Sequence, residues 1–254
     1  MNHANCWPSL GVCSRRCSAV LLAAFVIGTP VVPRTASSRT VSMRTDDGVT
    51  VAGTFYEASR RPAPAVILLH MLTRSREDWD SVANGLADAG IHALAIDFRG
   101  HGGSPSGPPA AGGGPDVTRL VLDVQAARAF LVARADVVIP SAIGIAGASV
   151  GANVAVLEGA GAPAVRSLAL LSPGLDYRSL RTDAALRKYG GRPALLLAGS
   201  NDPYAVRSVK ELAAGGGGIR EIRILENAGH GTTMLKSDPD LGRVLVDWFQ
   251  RTLL

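Results

Sequence analysis

Short apolar runs alternate with longer stretches of helical period along most of the chain. Val49 to Phe55 alternates apolar and polar positions, the period of a half-buried strand. Ala65 to Leu69 is continuously apolar, as expected of a strand covered on both faces. Asp78 to Ala89 sets Trp79, Val82, Leu86 and Ala87 at helical spacing, and Gly90 supplies a stop. Ile91 to Phe98 predicts the next strand, and the glycine- and proline-rich stretch from Gly102 to Pro115 predicts a connection. Asp116 to Ala133 carries Leu120, Val124, Ala127 and Leu131 down one side of an amphipathic helix. Beyond it the pattern predicts strands at Ile143–Ala146, Ser167–Leu171, Pro193–Ala198 and Ile219–Leu225. Helices are predicted at Val150–Gly159, Tyr204–Ala214 and Asp238–Arg251. Strands alternating with helices imply an α/β fold with a mostly parallel sheet and helices on both faces.

The first residues break this pattern. Ser14-Arg15-Arg16-Cys17 precedes an apolar run from Ser18 to Val32, and Pro33-Arg34-Thr35-Ala36-Ser37-Ser38 follows it. A basic start, an apolar run of about 15 residues and small residues after it describe a secretory signal. A bilayer span takes about 18–20 apolar residues, and Gly28 and Pro30 interrupt this one. The division expected is therefore a leader over 1–38 and one domain over 39–254, exported to the periplasm or beyond. The rival reading is an uncleaved membrane anchor. Once the leader is removed, no stable membrane insertion is expected.

Composition changes the picture in two ways. The chain has 254 residues and a net charge of +5, which raises nucleic-acid binding as a possibility. Three of its 26 basic residues and none of its 21 acidic ones lie in residues 1–36, so the remainder stands at 23 against 21, close to neutral. The arginines of that remainder are interspersed with acids, with no aromatic–basic stripe, so no nucleic-acid partner is expected. All three cysteines, Cys6, Cys13 and Cys17, also fall in the leader. The rest of the chain has no thiol for a disulfide, a metal or a nucleophile.

The sharpest chemical signal is Gly147-Ala148-Ser149-Val150-Gly151, between a predicted strand and a predicted helix. On a tight strand-to-helix turn a serine is held in a strained conformation with its hydroxyl above the sheet edge. The following helix aims its N-terminal amides at the same spot, where negative charge develops during acyl transfer. Such a hydroxyl needs a general base, and the base needs an orienting carboxylate. His230 stands in Asn227-Ala228-Gly229-His230-Gly231-Thr232 after the last strand, and Asp202 in Gly199-Ser200-Asn201-Asp202-Pro203 after the strand before it. Of the other histidines, His3 lies in the leader and His92 starts a strand with an exposed position expected. His70 and His101 follow strands as structural hydrogen-bonders. No His-x-x-His or His-Glu-x-x-His spacing occurs, so neither metal nor cofactor is implied.

The order Ser149, Asp202, His230, together with Leu68-Leu69-His70-Met71, Asp97-Phe98-Arg99-Gly100-His101-Gly102 and Ala228-Gly229-His230-Gly231, resembles the α/β-hydrolase superfamily. The likeness is to its small serine esterases and dienelactone-hydrolase-like members, and covers about Val49 to Leu254. Dienelactone hydrolases proper are less similar, because they use cysteine where this elbow has serine. The resemblance implies a mostly parallel eight-stranded sheet without a large cap domain, since only Ser172 to Arg192 separates two strands where lids are often inserted. It implies an oxyanion hole from the N–H of Val150 and a second N–H from the loop after Leu69. Family members often have His-Gly there; this chain has His70-Met71-Leu72, so the donor is Met71 or Leu72, with Leu72 slightly favoured. Expected wall residues are Met71, Leu72, Leu175, Tyr177 and Met234. Arg74, Arg76 and Arg99 are expected on a solvated rim, although a carboxylate substrate would suit them. The expected partner is a small-molecule ester. A peptidase, thioesterase or carbon–carbon hydrolase on the same triad, or a non-catalytic binding protein of this fold, are the alternatives.

Overall fold

A computed structural model describes residues 37–110 and 113–254. Its elements in chain order are β1 (Ser37–Arg44), β2 (Thr50–Glu57), β3 (Ala63–Leu69), α1 (Asp80–Asp88), β4 (His92–Ile96), α2 (Leu120–Val132), β5 (Val138–Ala148) and α3 (Val150–Gly161). They continue with β6 (Val165–Leu171), β7 (Asp176–Tyr177), β8 (Leu180–Arg181), α4 (Asp183–Tyr189), β9 (Ala194–Gly199), α5 (Pro203–Ala214), β10 (Arg220–Leu225), α6 (Met234–Ser237) and α7 (Leu241–Leu253). Eight strands form one sheet in the order β1-β2-β4-β3-β5-β6-β9-β10. The first two pairings, β1 with β2 and β2 with β4, are antiparallel, and all others are parallel.

The apolar run of β3 alternates between two cores. Ala65, Ile67 and Leu69 join Leu120, Val124, Val154 and Val209 under α2, α3 and α5 on one face. Val66 and Leu68 join Val82, Leu86, Leu241, Leu245 and Trp248 under α1 and α7 on the other. Both faces are covered, which is why no polar position interrupts the strand. The chain runs from β3 to β4 on one side and returns to β5 on the other, so the strand order reverses between β3 and β5. Open α/β sheets carry their crevice at such a point, beyond the carboxyl ends of the strands. Leu69 of β3 pairs with Gly147 of β5, which puts the loops that follow these two strands side by side.

Several local expectations shift. β1 has no counterpart in the apolar pattern: it is an edge strand whose inward positions amount to Val41 and Met43, so burial leaves little trace in its sequence. β5 begins five residues earlier than expected and passes Pro140, because the strand is irregular there and its register with β3 shifts between Val138 and Ile143. The last helix starts at Leu241 rather than Asp238, preceded by the short α6. The segment Ser172–Arg192 holds the hairpin β7–β8 and α4, with no large cap. His92 is fully buried, contrary to the exposed position expected: its Nδ1 accepts from the Ala58 N–H at 3.0 Å and its Nε2 donates to the Val137 carbonyl at 3.0 Å. Those two bonds satisfy both ring nitrogens of a neutral imidazole, so burial is tolerated. Nearly all of the expected leader, residues 1–36, lies outside the described residues. Among the described residues no helix is long and apolar enough to cross a membrane.

Candidate active site

Ser149 stands between β5 and α3 with φ +52° and ψ −116°, a conformation that non-glycine residues rarely hold. The flanking glycines make the turn sterically possible. A Cβ on Gly147 would lie 2.3 Å from the Gly151 carbonyl oxygen, and a Cβ on Gly151 would lie 2.7 Å from the carbonyl oxygens of both Leu69 and His70. The elbow is thus pressed against the end of β3, and its Ser149 N–H is tied to the Leu171 carbonyl of β6 at 2.8 Å.

The structure brings the three separated residues together. His230 Nε2 lies 2.8 Å from Ser149 Oγ, and His230 Nδ1 lies 2.5 Å from Asp202 Oδ2. Asp202 is fixed by its second role: its other oxygen, Oδ1, caps α5 by accepting the Ala205 N–H at 3.1 Å, with Pro203 opening the helix. The loops after β9 and β10 are laced to each other. Ser200 Oγ accepts the Asn227 N–H and Asn201 Oδ1 accepts the Gly229 N–H, both at 2.9 Å. Thr233 Oγ1 accepts the His230 N–H at 3.1 Å and donates to the His230 carbonyl at 2.7 Å. Buried Ser172 accepts the Gly231 N–H at 3.0 Å. Thr232 donates to Asp78 at 2.5 Å, and Asp78 also holds Arg74. Of these supports only Asp202 is visible to motif reasoning; Ser172 and Asp78 become neighbours of the His230 loop through the sheet.

The loop after β3 is braced by His70. This ring is buried, its Nε2 accepts the Phe98 N–H at 3.0 Å, and its Nδ1 donates to the Met71 carbonyl at 2.7 Å. Burial pushes its pKa down to about 4, so the imidazole is neutral and both nitrogens keep these roles. The peptide geometry separates the two candidate donors. Met71 C=O is turned to the His70 ring, so the Leu72 N–H, trans to it, faces the other way. The His70 carbonyl lies against Gly151, so the Met71 N–H faces away from the start of α3. Among the described residues neither the Leu72 N–H nor the Val150 N–H has a hydrogen-bond partner. The left-handed residue of this loop is Thr73, with φ +63°, so methionine is tolerated at position 71. Met71 instead packs its sulfur under the His230 loop, 2.6 Å from where a Cβ on Gly231 would stand.

A cavity of about 470 Å³ opens beside this loop. Leu72, Thr73 and Tyr177 line it, as do Ser106, Gly107, Pro108, Pro109, Gly114 and Pro115 from the stretch that sequence pattern marks only as a connection. Its length was the available signal, since loops beyond about 12 residues usually bind something or are disordered. Two of the five expected wall residues, Leu72 and Tyr177, are in this cavity. Met234 is not: it is fully buried in the core beneath the His230 loop, because α6 turns it inward. Leu175 lines a separate hollow between α4 and α5.

All three arginines expected on a solvated rim are paired, and of them Arg74 alone keeps a well-exposed side chain. Arg74 pairs with Asp78 and Arg76 with buried Asp97. Arg99 is itself buried and bonds Asp123 through Nε at 2.9 Å and Asp47 at 2.7 Å. Burial works against the Arg99 charge, but the hydrogen bonds to Asp47 and Asp123 outweigh it and raise its pKa. These pairs hold the start of the cavity loop. Asp97 also accepts the Gly103 N–H at 2.8 Å, and a Cβ on Gly102 would strike its carboxylate at 2.2 Å. The Asp97–Gly102 motif is therefore a folding device for this loop.

Against known proteins, the model of the family described as "Serine aminopeptidase, S33" matches residues 60–190, just over half of the chain. The chain belongs to this family. Epoxide hydrolase A of Mycobacterium tuberculosis is 43% identical over 68 residues, which make up 27% of this chain and 20% of that one. The matched segment thus spans a fifth of that curated relative. An esterase of Pyrococcus furiosus is 20% identical with a TM-score of 0.71, over 86% of this chain and 94% of that one. A dienelactone hydrolase from Anabaena variabilis is 18% identical with a TM-score of 0.69, over 87% of this chain and all of that one. At such identities the likeness is one of fold. The chain is an α/β hydrolase with a mostly parallel eight-stranded sheet.

Proposed function

We propose that this α/β hydrolase cleaves carboxylic esters through an acyl-enzyme formed on Ser149. The observation that carries the reading is the continuous line from Asp202 through His230 to the hydroxyl of Ser149, at 2.5 and 2.8 Å. His230 Nε2 takes the Ser149 proton as the oxygen attacks the ester carbonyl. The Val150 and Leu72 amides hold the tetrahedral oxyanion, aided by the positive end of α3. The intermediate collapses, and His230 gives the proton to the departing alcohol. A water then attacks the acyl-enzyme with His230 again as base, releasing the acid and restoring the serine. Asp202 stays ionised and fixes the Nδ1–H tautomer throughout.

The cavity suits a small ester, and with no large cap over it the acyl chain is expected to be short or otherwise accessible. A peptidase is the second reading, favoured by the description of the matching family. An aminopeptidase has to receive a substrate ammonium, and the cation on the described wall that forms no ion pair there, Arg178, has the same sign of charge. Asp116, the one carboxylate there, is turned onto Thr118 and Arg119. The test is fluorophosphonate labelling and a 4-nitrophenyl ester series on the protein and on Ser149→Ala. Labelling and turnover lost in a folded Ser149→Ala support the reading. Retention of either overturns it, and rates rising steadily toward long chains overturn the short-chain preference.

A further inference from the structure

The cavity is lined both by the loop after β3 and by the tip of the β7–β8 hairpin, and that tip carries a cation that forms no ion pair among the described residues. Asp176 pairs with Arg181 and Tyr177 with Leu180, leaving a two-residue loop of Arg178 and Ser179. Both loop residues are left-handed, with φ +48° and +76°. Hairpin loops of this kind favour asparagine and glycine, which hold such angles easily. Here an arginine and a serine are held there, with Asp176 Oδ1 accepting the Ser179 N–H at 2.9 Å. The strained turn puts Arg178 on the cavity wall, with its guanidinium 5.6 Å from the centre of the Tyr177 ring.

The other charged groups lining the cavity are already engaged. Arg99 is bound to Asp47 and Asp123, and Asp116 to Thr118 and Arg119. Arg178 is exposed and, among the described residues, forms no ion pair. The rest of the wall is largely apolar, with Val117, Leu120 and Pro108 among its residues.

We propose that the cavity takes an ester whose apolar portion ends in a carboxylate, and that Arg178 binds that carboxylate while the ester carbonyl sits at Ser149. The inference rests on the ester-cleaving reading of the site. A guanidinium receives a carboxylate through two parallel hydrogen bonds, which fixes the length and direction of the bound chain. A carboxylate held by Arg178 takes no part in the bonds made and broken, so its contribution falls on KM more than on kcat.

The test uses two matched pairs of substrates. One places the carboxylate in the acyl portion, 4-nitrophenyl hydrogen adipate against 4-nitrophenyl hexanoate. The other places it in the alcohol portion, 6-acetoxyhexanoate against hexyl acetate. The expected result is a preference for the acid-ended member of at least one pair. Arg178→Gln should then raise its KM about tenfold, with the neutral partner unchanged, and Arg178→Lys should restore part of the loss. Preference for the neutral member in both pairs, or equal effects of Arg178→Gln on both members, overturns the proposal. Calorimetric binding of monomethyl adipate to Ser149→Ala, with and without Arg178→Gln, decides the same question without turnover. Hydrolysis of neutral esters alone, with no binding difference, removes the role of Arg178 and leaves ester cleavage standing. Binding that depends on Arg178 without any hydrolysis or labelling removes ester cleavage and leaves the carboxylate site.

Discussion

The two sides of the cleft are held in different ways. On the side of Ser149 and His230, each loop is tied to its neighbours: Gly147 and Gly151 press the elbow onto β3, and Ser172, Asn201, Asp78 and Thr233 each bond the His230 loop. On the cavity side, Arg99, Asp97 and Ser104 anchor the start of the loop, and a bridge between Pro109 and Pro115 folds its later part onto itself. The hairpin tip opposite depends on a strained two-residue turn. Chemistry that transfers a proton along 2.5 and 2.8 Å contacts tolerates little displacement, whereas a wall that only selects substrates tolerates exchange of its residues. The difference suggests that reaction type is fixed by one side and specificity by the other.

Ser149→Ala should lower ester turnover by about ten-thousand-fold or more with stability unchanged, and Asp202→Asn should approach the same loss by disfavouring the needed His230 tautomer. Steady-state rates and thermal melts on the same samples check both; asparagine can keep the cap on the Ala205 N–H, so Asp202→Asn should melt close to the unsubstituted protein. Arg99→Ala leaves Asp123 buried without its partner and should cost about 3–5 kcal/mol in urea unfolding. Turnover of the remaining folded protein should fall mainly through KM, because the cavity wall rather than the triad loses its anchor.

The brace under the oxyanion loop gives a pH signature. His70 titrates near pH 4 when folded against 6.5 as a free side chain, so between those values the unfolded chain binds a proton that the folded one does not. Stability should therefore rise with pH across that window and fall as pH drops from about 6.5 to about 4, by about 3 kcal/mol from this group. His92, whose pKa burial also lowers, adds in the same direction. Urea unfolding at a series of pH values should show the slope, and His70→Gln should flatten it; an unchanged slope would remove His70 from the account. The smallest effect expected is that of Tyr177→Ala. It should shift the ratio of kcat/KM between acyl chain lengths about tenfold or less, with turnover of acetate esters nearly unchanged.

Sequence pattern reaches some parts of this molecule much further than others. The fully apolar β3, the alternation of strands with helices and the Ser149 elbow are all legible, because each depends on residues within a few positions of one another. β1 is not legible, since an edge strand with one lightly buried face needs little hydrophobic signal. Arg99 illustrates the opposite failure. An arginine in a glycine-rich loop suggests a solvated position, yet it is buried because Asp47 and Asp123 arrive from 52 and 24 residues away. Met234 fails for a related reason: proximity to His230 along the chain says nothing about which way α6 faces.

The sequence by itself determined the class of fold, the strand-to-helix turn at Ser149, and the order of serine, aspartate and histidine along the chain. These are local patterns or simple successions, and local sterics and periodicity suffice to read them. Only the tertiary structure decided how Asp202 and His230 are aimed, that the Met71 N–H faces away from the start of α3, which arginines are paired, and that a connection forms a cavity wall. Each of those depends on strand order in the sheet, which sets residues 20 to 150 positions apart within hydrogen-bonding distance of each other.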